Sequence, residues 1–221
     1  MNVSEALRKR RSVRGFTKQV VSESIIKDIL HLAQLAPSNC NTQPWHVAVI
    51  SGNARVQLEK DLMSEITAGK SVEPGFKPGD ARLEGVYKSR QYQCAADYYG
   101  AVGIERSNKA ARNQLLLKNW QLFGAPHVAI ISMPQWMTEL NALDVGIYLQ
   151  SLMLLMIEYG LASCPQGALA YYPEPIFKIA EIPAGNAILC GLSFGYEDTE
   201  AQINKVPQTR VTLDDSVSFT R

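Results

Sequence analysis

Several signatures that settle a function at sight are missing from this chain. No GxGxxG follows an apolar run, so a Rossmann dinucleotide site is not indicated, and no GxxxxGK[ST] is present to cradle phosphates. No HExxH and no paired-cysteine spacing offers a metal site. Charge is scarce at 19% of residues, and 22 basic against 21 acidic side chains leave a net +1. A nucleic-acid binder normally carries a large basic excess, which this balance argues against. Low charge also means less surface made for water, and burial in an oligomer is one way to achieve that. There is no internal repeat and no low-complexity segment. The four cysteines, Cys40, Cys94, Cys164 and Cys190, stand apart, as free thiols of a cytosolic protein would.

What is present is ample apolar material. Hydrophobic residues make up 46% of 221, enough for a real core in one ordinary-to-large domain or two small ones. The start, MNVSEALRKRRS, lacks the apolar region of a secretory leader. The most apolar stretch, Leu143 to Ala162, contains Asp144, Gln150, Ser151 and Glu158, a poor composition for a membrane span. A soluble cytoplasmic protein is expected.

Apolar spacing predicts a short helix over 4–10 capped by Ser4, and a second after Ser22 on Ile25, Ile26, Ile29, Leu30 and Leu32, ended by Pro37. A strand is expected over 45–50, then a helix capped by Asn53 to about Thr67. Residues 69–85, rich in Gly and Pro, read as a long surface loop of the kind that is often functional. Helices follow at about 86–102 and 108–123, the latter capped by Ser107. A strand is expected over 127–132, and a helix over 141–159 that is apolar on nearly every side and so buried all round, in a core or between subunits. Gly160 is placed for a left-handed cap. A short helix over 173–180, a strand over 187–194 and a weakly extended tail complete the order. It does not alternate β and α as a doubly wound sheet would.

Four segments could carry chemistry. Arg8-Lys9-Arg10-Arg11-Ser12-Val13-Arg14 is a solvated helix end, a nucleic-acid patch, or an anion site in which Arg forks grip a phosphate. Pro37-Ser38-Asn39-Cys40-Asn41-Thr42-Gln43-Pro44-Trp45 is an Asx-rich turn or a stiff ligand loop. Ser163-Cys164-Pro165-Gln166-Gly167 is a plain turn or a place where backbone approaches a flat ligand. Asn204-Lys205-Val206-Pro207-Gln208-Thr209-Arg210 brings two further cations. His31, His46 and His127 are scattered and read as structural.

Taken in order and spacing, RRSVRGF, PSNCNTQPW, GLASCPQG and NKVPQTRVTLDD resemble the nitroreductase family of flavin enzymes across nearly the whole chain. The stretch from Tyr87 to Pro126, with GIERSNKAARNQ and NWQLFGAP, resembles its nitrobenzoate reductase-like branch. The resemblance implies an α+β fold, an α-β-α sandwich about a central, mostly antiparallel sheet, in an intertwined homodimer with FMN at the subunit interface. It implies that Arg10, Arg11 and Ser12 grip the phosphate and ribityl chain and that Arg14 faces the pyrimidine side of the flavin. Pro37, Ser38, Asn39 and Asn41 then reach the flavin of the other subunit. Backbone N–H groups of Pro165, Gln166 and Gly167 approach N5, and Lys205 and Arg210 add phosphate contacts. Val206-Pro207 stands where many relatives have an aromatic and an Arg, which moves the weight to Arg210.

The implied activity is reduction of nitroaromatic compounds by NAD(P)H in a ping-pong hydride transfer through flavin N5. No catalytic side chain is required, because the cofactor carries the redox chemistry. The segment 69–123 is the expected active-site cover, with Tyr87, Tyr92, Tyr98, Tyr99, Trp120 and Phe123 as its aromatics. A flavin reductase acting on quinones, enones or halogenated aromatics, a flavin-consuming enzyme that makes a cobalamin ligand, and a non-catalytic flavin-binding module remain alternatives.

Overall fold

The computed structural model of the chain describes residues 1–79 and 82–221; Asp80 and Ala81, within the loop expected at 69–85, lie outside the described residues. Seven helices and four strands follow in order: α1 (Val3–Lys9), α2 (Glu23–Ala33), β1 (His46–Ser51), α3 (Gly52–Thr67), α4 (Gly85–Ala101), α5 (Lys109–Leu117), β2 (His127–Pro134), α6 (Glu139–Glu158), β3 (Ala162–Gln166), α7 (Pro173–Ile179) and β4 (Asn186–Gly195). The strands form one sheet in the order β1-β2-β4-β3, every pair antiparallel.

β2 is buried on both faces, which explains its unbroken apolar run. Its Ala129, Ile131 and Met133 face α2 and α6, meeting Ile29, Tyr148, Leu152 and Met156. Val128 and Ile130 face the opposite layer, meeting Leu58 and Leu62 of α3 and Ile176 of α7. The result is the expected α-β-α sandwich. A bulge between Ile131 and Ser132 skips Leu189 in the β2–β4 pairing, so Leu189 and Cys190 both pack against the α2/α6 side.

Local signals were displaced by a residue or two. α1 is capped by Asn2, not Ser4: Asn2 Oδ1 accepts from Glu5 N at 2.9 Å, and Glu5 Oε2 accepts from Asn2 N at 3.0 Å. α3 begins at Gly52 behind Ser51, not at Asn53. Asn108, not Ser107, caps α5 by accepting from Ala111 N at 3.0 Å. α5 stops at Leu117 and does not run to Phe123, because Leu122, Phe123 and Gly124 all take positive φ and turn the chain into β2.

Two corrections reach further. Ser163–Gly167 is not a turn: Ala162–Gln166 is a strand, β3, with Pro165 tolerated because β3 lies at the sheet edge. Within one chain α6 is not buried all round, so of the two expected settings the chain's own core is excluded. Tyr148, Leu152 and Met156 pack inward, but Leu140 is 71% exposed and Leu143 63%. By length and composition α6 is apolar enough to cross a membrane, with a third of that window buried. The tail beyond Gly195 forms one short helical turn at Gln202–Lys205 and no strand.

Candidate active site

Arg8 and Lys9 end α1, and from Arg10 on the basic segment is extended, with its apolar residues turned inward. Val13 and Phe16 join Phe123, Ala125, Ala162 and Cys164 in a small core of their own. Val13 N donates to Ser163 O at 3.0 Å, and Ser12 bridges Ser163 in parallel, so the segment lies along the free edge of β3. Arg11 therefore stands at the edge of the sheet beside Leu161 and Ala162, and Arg14 near Cys164.

Asn204 locks the C-terminal segment onto this strip. It is 6% exposed. Its Oδ1 accepts from Arg14 N at 2.8 Å, and its Nδ2 donates to Gly15 O and Asp198 O, both at 2.9 Å. A Cβ on Gly15 would stand 2.6 Å from that of Ala201, so no larger residue allows the approach.

The consequence is electrostatic. Burial and the neighbouring Arg210 guanidinium both lower the pKa of Arg10. Burial is the larger cause, and the like-charged neighbour adds to it. Among the described residues, Arg10, Arg14 and Arg210 have no carboxylate partner. Arg11 does: it grips Glu197 through two hydrogen bonds of 2.9 and 2.5 Å, an arrangement that leaves it less free for a ligand. Lys205 is exposed. A cleft of about 470 Å³ opens between α4 and Pro207–Val211, with Arg90 and Arg210 among its lining residues.

Arg14 ties the site to α4. Its guanidinium lies 4.9 Å from the Tyr98 ring centroid and 5.9 Å from that of Phe123. Burial pushes the Tyr98 hydroxyl up to about 12 against the opposing effect of Arg14, and its oxygen has no hydrogen-bond partner among the described residues. Of the other cover aromatics, Trp120 and Phe123 are buried, whereas Tyr87 is 64% and Tyr92 60% exposed.

At the end of β3 the three expected backbone contacts reduce to two, because Pro165 has no N–H. The Gln166 side chain is fully engaged, donating to Asn119 O at 2.6 Å and accepting from Ser193 Oγ at 2.5 Å. Gly167 is exposed, with open space where a Cβ would stand. Gly191-Leu192-Ser193-Phe194-Gly195 has the spacing of a serine-hydrolase elbow, yet Ser193 is buried inside β4 and bonded to Gln166, so no nucleophile is exposed there. Burial pushes the Cys164 thiol up to about 11, which removes it as a thiolate. Among the described residues no group of His, Cys, Asp and Glu is placed to hold a metal.

The loop Pro37, Ser38, Asn39 and Asn41 stands elsewhere. Asn39 N donates to Asp144 Oδ1 of α6 at 3.1 Å, and Ser38 Oγ accepts from Gln43 N at 2.9 Å. No hydrogen bond or ion pair among the described residues joins it to the arginine strip. One chain thus brings three of the four segments together and leaves the second apart.

A family model described as the nitroreductase family matches residues 7–196. The chain belongs to the nitroreductase family. It is 38% identical over 213 residues to nitroreductase NfnB of Mycolicibacterium smegmatis, covering 96% of this chain and 90% of that one. With 4-nitrobenzoate reductase of Pseudomonas putida it shares 33% over 202 residues, 91% and 88% of the two chains. Among solved structures, the FMN and NADPH-dependent nitroreductase NfnB from sphigopyxis sp. strain HMH superposes at a TM-score of 0.96 with 33% identity, each chain covered in full. The FMN-dependent nitroreductase NfnB from Mycobacterium smegmatis in complex with NADPH superposes at 0.93 with 34% identity, again in full. Glu197 and Asp144 are the residues that sequence reasoning passed over, and Asn204, inside the fourth candidate segment, was given no role of its own. Asp144 had a signal: an acid on an otherwise apolar helix is rarely buried without a task.

Proposed function

We propose that this protein is an FMN-dependent oxidoreductase that takes reducing equivalents from NAD(P)H and reduces nitroaromatic compounds. The observation that carries the reading is the Asn204 joint, which fastens the C-terminal segment to the arginine strip and so sets Arg10 and Arg210, a pair from opposite ends of the chain, within electrostatic reach and without a carboxylate partner among the described residues. A phosphate dianion is the ligand such a pair requires. The residues present fit FMN: Arg10, Arg210 and Ser12 hold its phosphate and ribityl chain, with Lys205 at the margin and Arg11 acting through its pair with Glu197. Arg14, held by Tyr98, faces the pyrimidine. Gln166 and Gly167 offer N–H groups beside an open Cβ position, where a flat ring can lie close. When bound, FMN supplies the hydride chemistry at N5, accepting from the nicotinamide and delivering to the nitro group. The protein contributes binding, orientation and positive charge beside the reduced ring.

The names of the similar proteins support nitroaromatics as the substrate class and NADPH as a reductant. Both substrates use one ring face in this reading, so initial-rate lines run parallel; intersecting lines exclude ping-pong.

The same reading assigns α4 and α5, within 69–123, to the cover of the site. It also takes the protein as a cytoplasmic homodimer. The exposed Leu140, Leu143 and Ile147 of α6 form a stripe at helical spacing, and α1 and α2, which pack on the same helix, carry or lead into exposed Leu7, Leu32 and Leu35. Pairing two copies over it accounts for the separation of the Asn39 loop from the arginines, because each loop then serves its neighbour's flavin. The exposed tail, with Leu213 and Phe219 unburied, adds to the grip.

The experiment is the visible spectrum of the purified protein. A yellow preparation that bleaches with NADPH or NADH and recolours on addition of 4-nitrobenzoate is expected. A colourless protein that takes up no FMN removes the assignment, and bound FMN that no nicotinamide reduces leaves a binding module.

A further inference from the structure

The loop from Asn39 to Trp45 is held in an unusual conformation. Cys40, Asn41 and Gln43 all take positive φ, at 50°, 55° and 46°, and none is a glycine. Such residues persist only where the surroundings over-determine them. The structure identifies what does so. Asn39 N, at the start of the strained stretch, donates to Asp144 Oδ1 at 3.1 Å. Trp45, at its end, stacks on Tyr148 with ring centroids 4.8 Å apart and 21° between planes. Asp144 and Tyr148 are one turn apart on α6, so one helix face pins both ends of the loop. Trp45 Nε1 also donates to Gln34 Oε1 at 3.0 Å, which steadies that end.

Asp144 is 6% exposed on a helix whose inward face is otherwise Val145, Tyr148, Leu152, Met153 and Met156. Its second oxygen, Oδ2, is buried with no hydrogen-bond partner among the described residues. A buried carboxylate with one oxygen unpartnered opposes folding, and packing alone would favour an apolar residue there. Its use must lie in what Oδ1 holds.

We propose that Asp144 is a positioning residue of the flavin site. By accepting from the Asn39 amide it keeps Pro37–Asn41 in the one shape that presents Asn39 and Asn41 to the flavin. This rests on the proposed function above, which assigns that loop to the cofactor. The relevant property is the acceptor oxygen.

The test compares Asp144→Ala, which removes the acceptor, with Asp144→Asn, which keeps one in the same volume. Asn39→Pro removes the donor instead, and Ser38, extended at φ −144° and ψ 158°, already has the backbone a following proline demands. Asn39→Ala controls for loss of the side chain while keeping the N–H. FMN titration of the apoproteins by flavin fluorescence is the first readout. Asp144→Ala and Asn39→Pro should each weaken FMN binding about tenfold or more. Asp144→Asn should stay within about threefold of wild type, and the double variant should be no worse than either single one. The second readout is hydrogen exchange of the 39–43 amides, which should quicken in Asp144→Ala and not in Asp144→Asn. FMN affinity within about twofold of wild type in Asp144→Ala, or equal loss in Asp144→Ala and Asp144→Asn, overturns the proposal. Should Asp144→Ala fail to fold, Asn39→Pro against Asn39→Ala decides alone, since equal affinities there also overturn it. A wild-type protein that binds no FMN defeats the flavin reading itself; unchanged exchange in that case rejects the pinning of the loop as well.

Discussion

At the arginine end, Val13 and Phe16 anchor the strip to β3, Asn204 bolts the C-terminal segment onto it, and the polar backbone groups so joined find partners within the same chain. At the loop end, three non-glycine residues take positive φ, Asp144 Oδ2 and Tyr148 Oη are buried without partners among the described residues, and apolar α6 side chains face outward. The contrast shows what one chain can complete alone. A phosphate grip needs only cations brought near each other, and the termini do that. Contact with a flat ring from the opposite side needs a surface that the single chain leaves unfinished, and in our reading a second copy finishes it.

Removing both Arg10 and Arg210 by alanine substitution should have the largest effect. Two charge-assisted contacts at roughly 1.5–3 kcal/mol each predict FMN affinity at least 100-fold weaker by titration. Near-wild-type affinity would show that the arginine end does not hold the phosphate. Leu143→Asp attacks the other end. It should convert a dimer of about twice 24.4 kDa into a monomer by light scattering, with flavin lost but the thermal midpoint of the monomer still measurable. A wild-type protein that is monomeric and yellow would break the comparison outright.

Asn204→Ala tests how much the bolt matters. It leaves Arg14 N–H and Gly15 C=O without their partner at about 1–3 kcal/mol, so the midpoint should fall by roughly 3–10 °C for a chain of this size. Acid should act on the sandwich beneath both ends. Val21 N donates to His127 Nε2 at 3.0 Å, which puts the imidazole proton on Nδ1, 2.6 Å from Ser51 Oγ. Burial lowers the pKa of both His127 and His46. The fold therefore favours their neutral forms, and the stability they give is present above the unfolded histidine pKa of about 6.5 and is lost below it. Thermal midpoints should fall between about pH 7 and pH 5, and less steeply in a His127→Gln variant. The smallest effect is expected from Tyr98→Leu, which removes a cation–π contact worth about 0.5–2 kcal/mol and should shift flavin absorbance or NADPH KM while leaving FMN retention nearly intact.

Much of the fold was legible because its signals are local. The periodicity of Ile25, Ile26 and Ile29 marked α2, the apolar run of 127–132 marked β2, and Gly160 at φ +74° took its left-handed cap. The caps at Ser4 and Ser107 were misplaced because a nearby asparagine did the work, and α3 starts behind Ser51 with no side-chain cap bond. β3 was read as a turn because Pro165 and Gly167 look like turn residues, and only the sheet edge makes a proline harmless there. At the site, the residue types were visible and their engagements were not: nothing in the order of residues pairs Arg11 with Glu197 or ties the Gln166 side chain to Asn119 and Ser193.

The amino-acid order alone determined the family, most of the elements and the cationic character of the two terminal segments, since these follow from spacing and side-chain type. Only the tertiary structure decided which cations remain unpaired, that Asn204 joins the ends, and that Asp144 holds the loop. Those outcomes depend on contacts between residues as many as 190 positions apart, where chain connectivity says nothing and packing of the sandwich says everything.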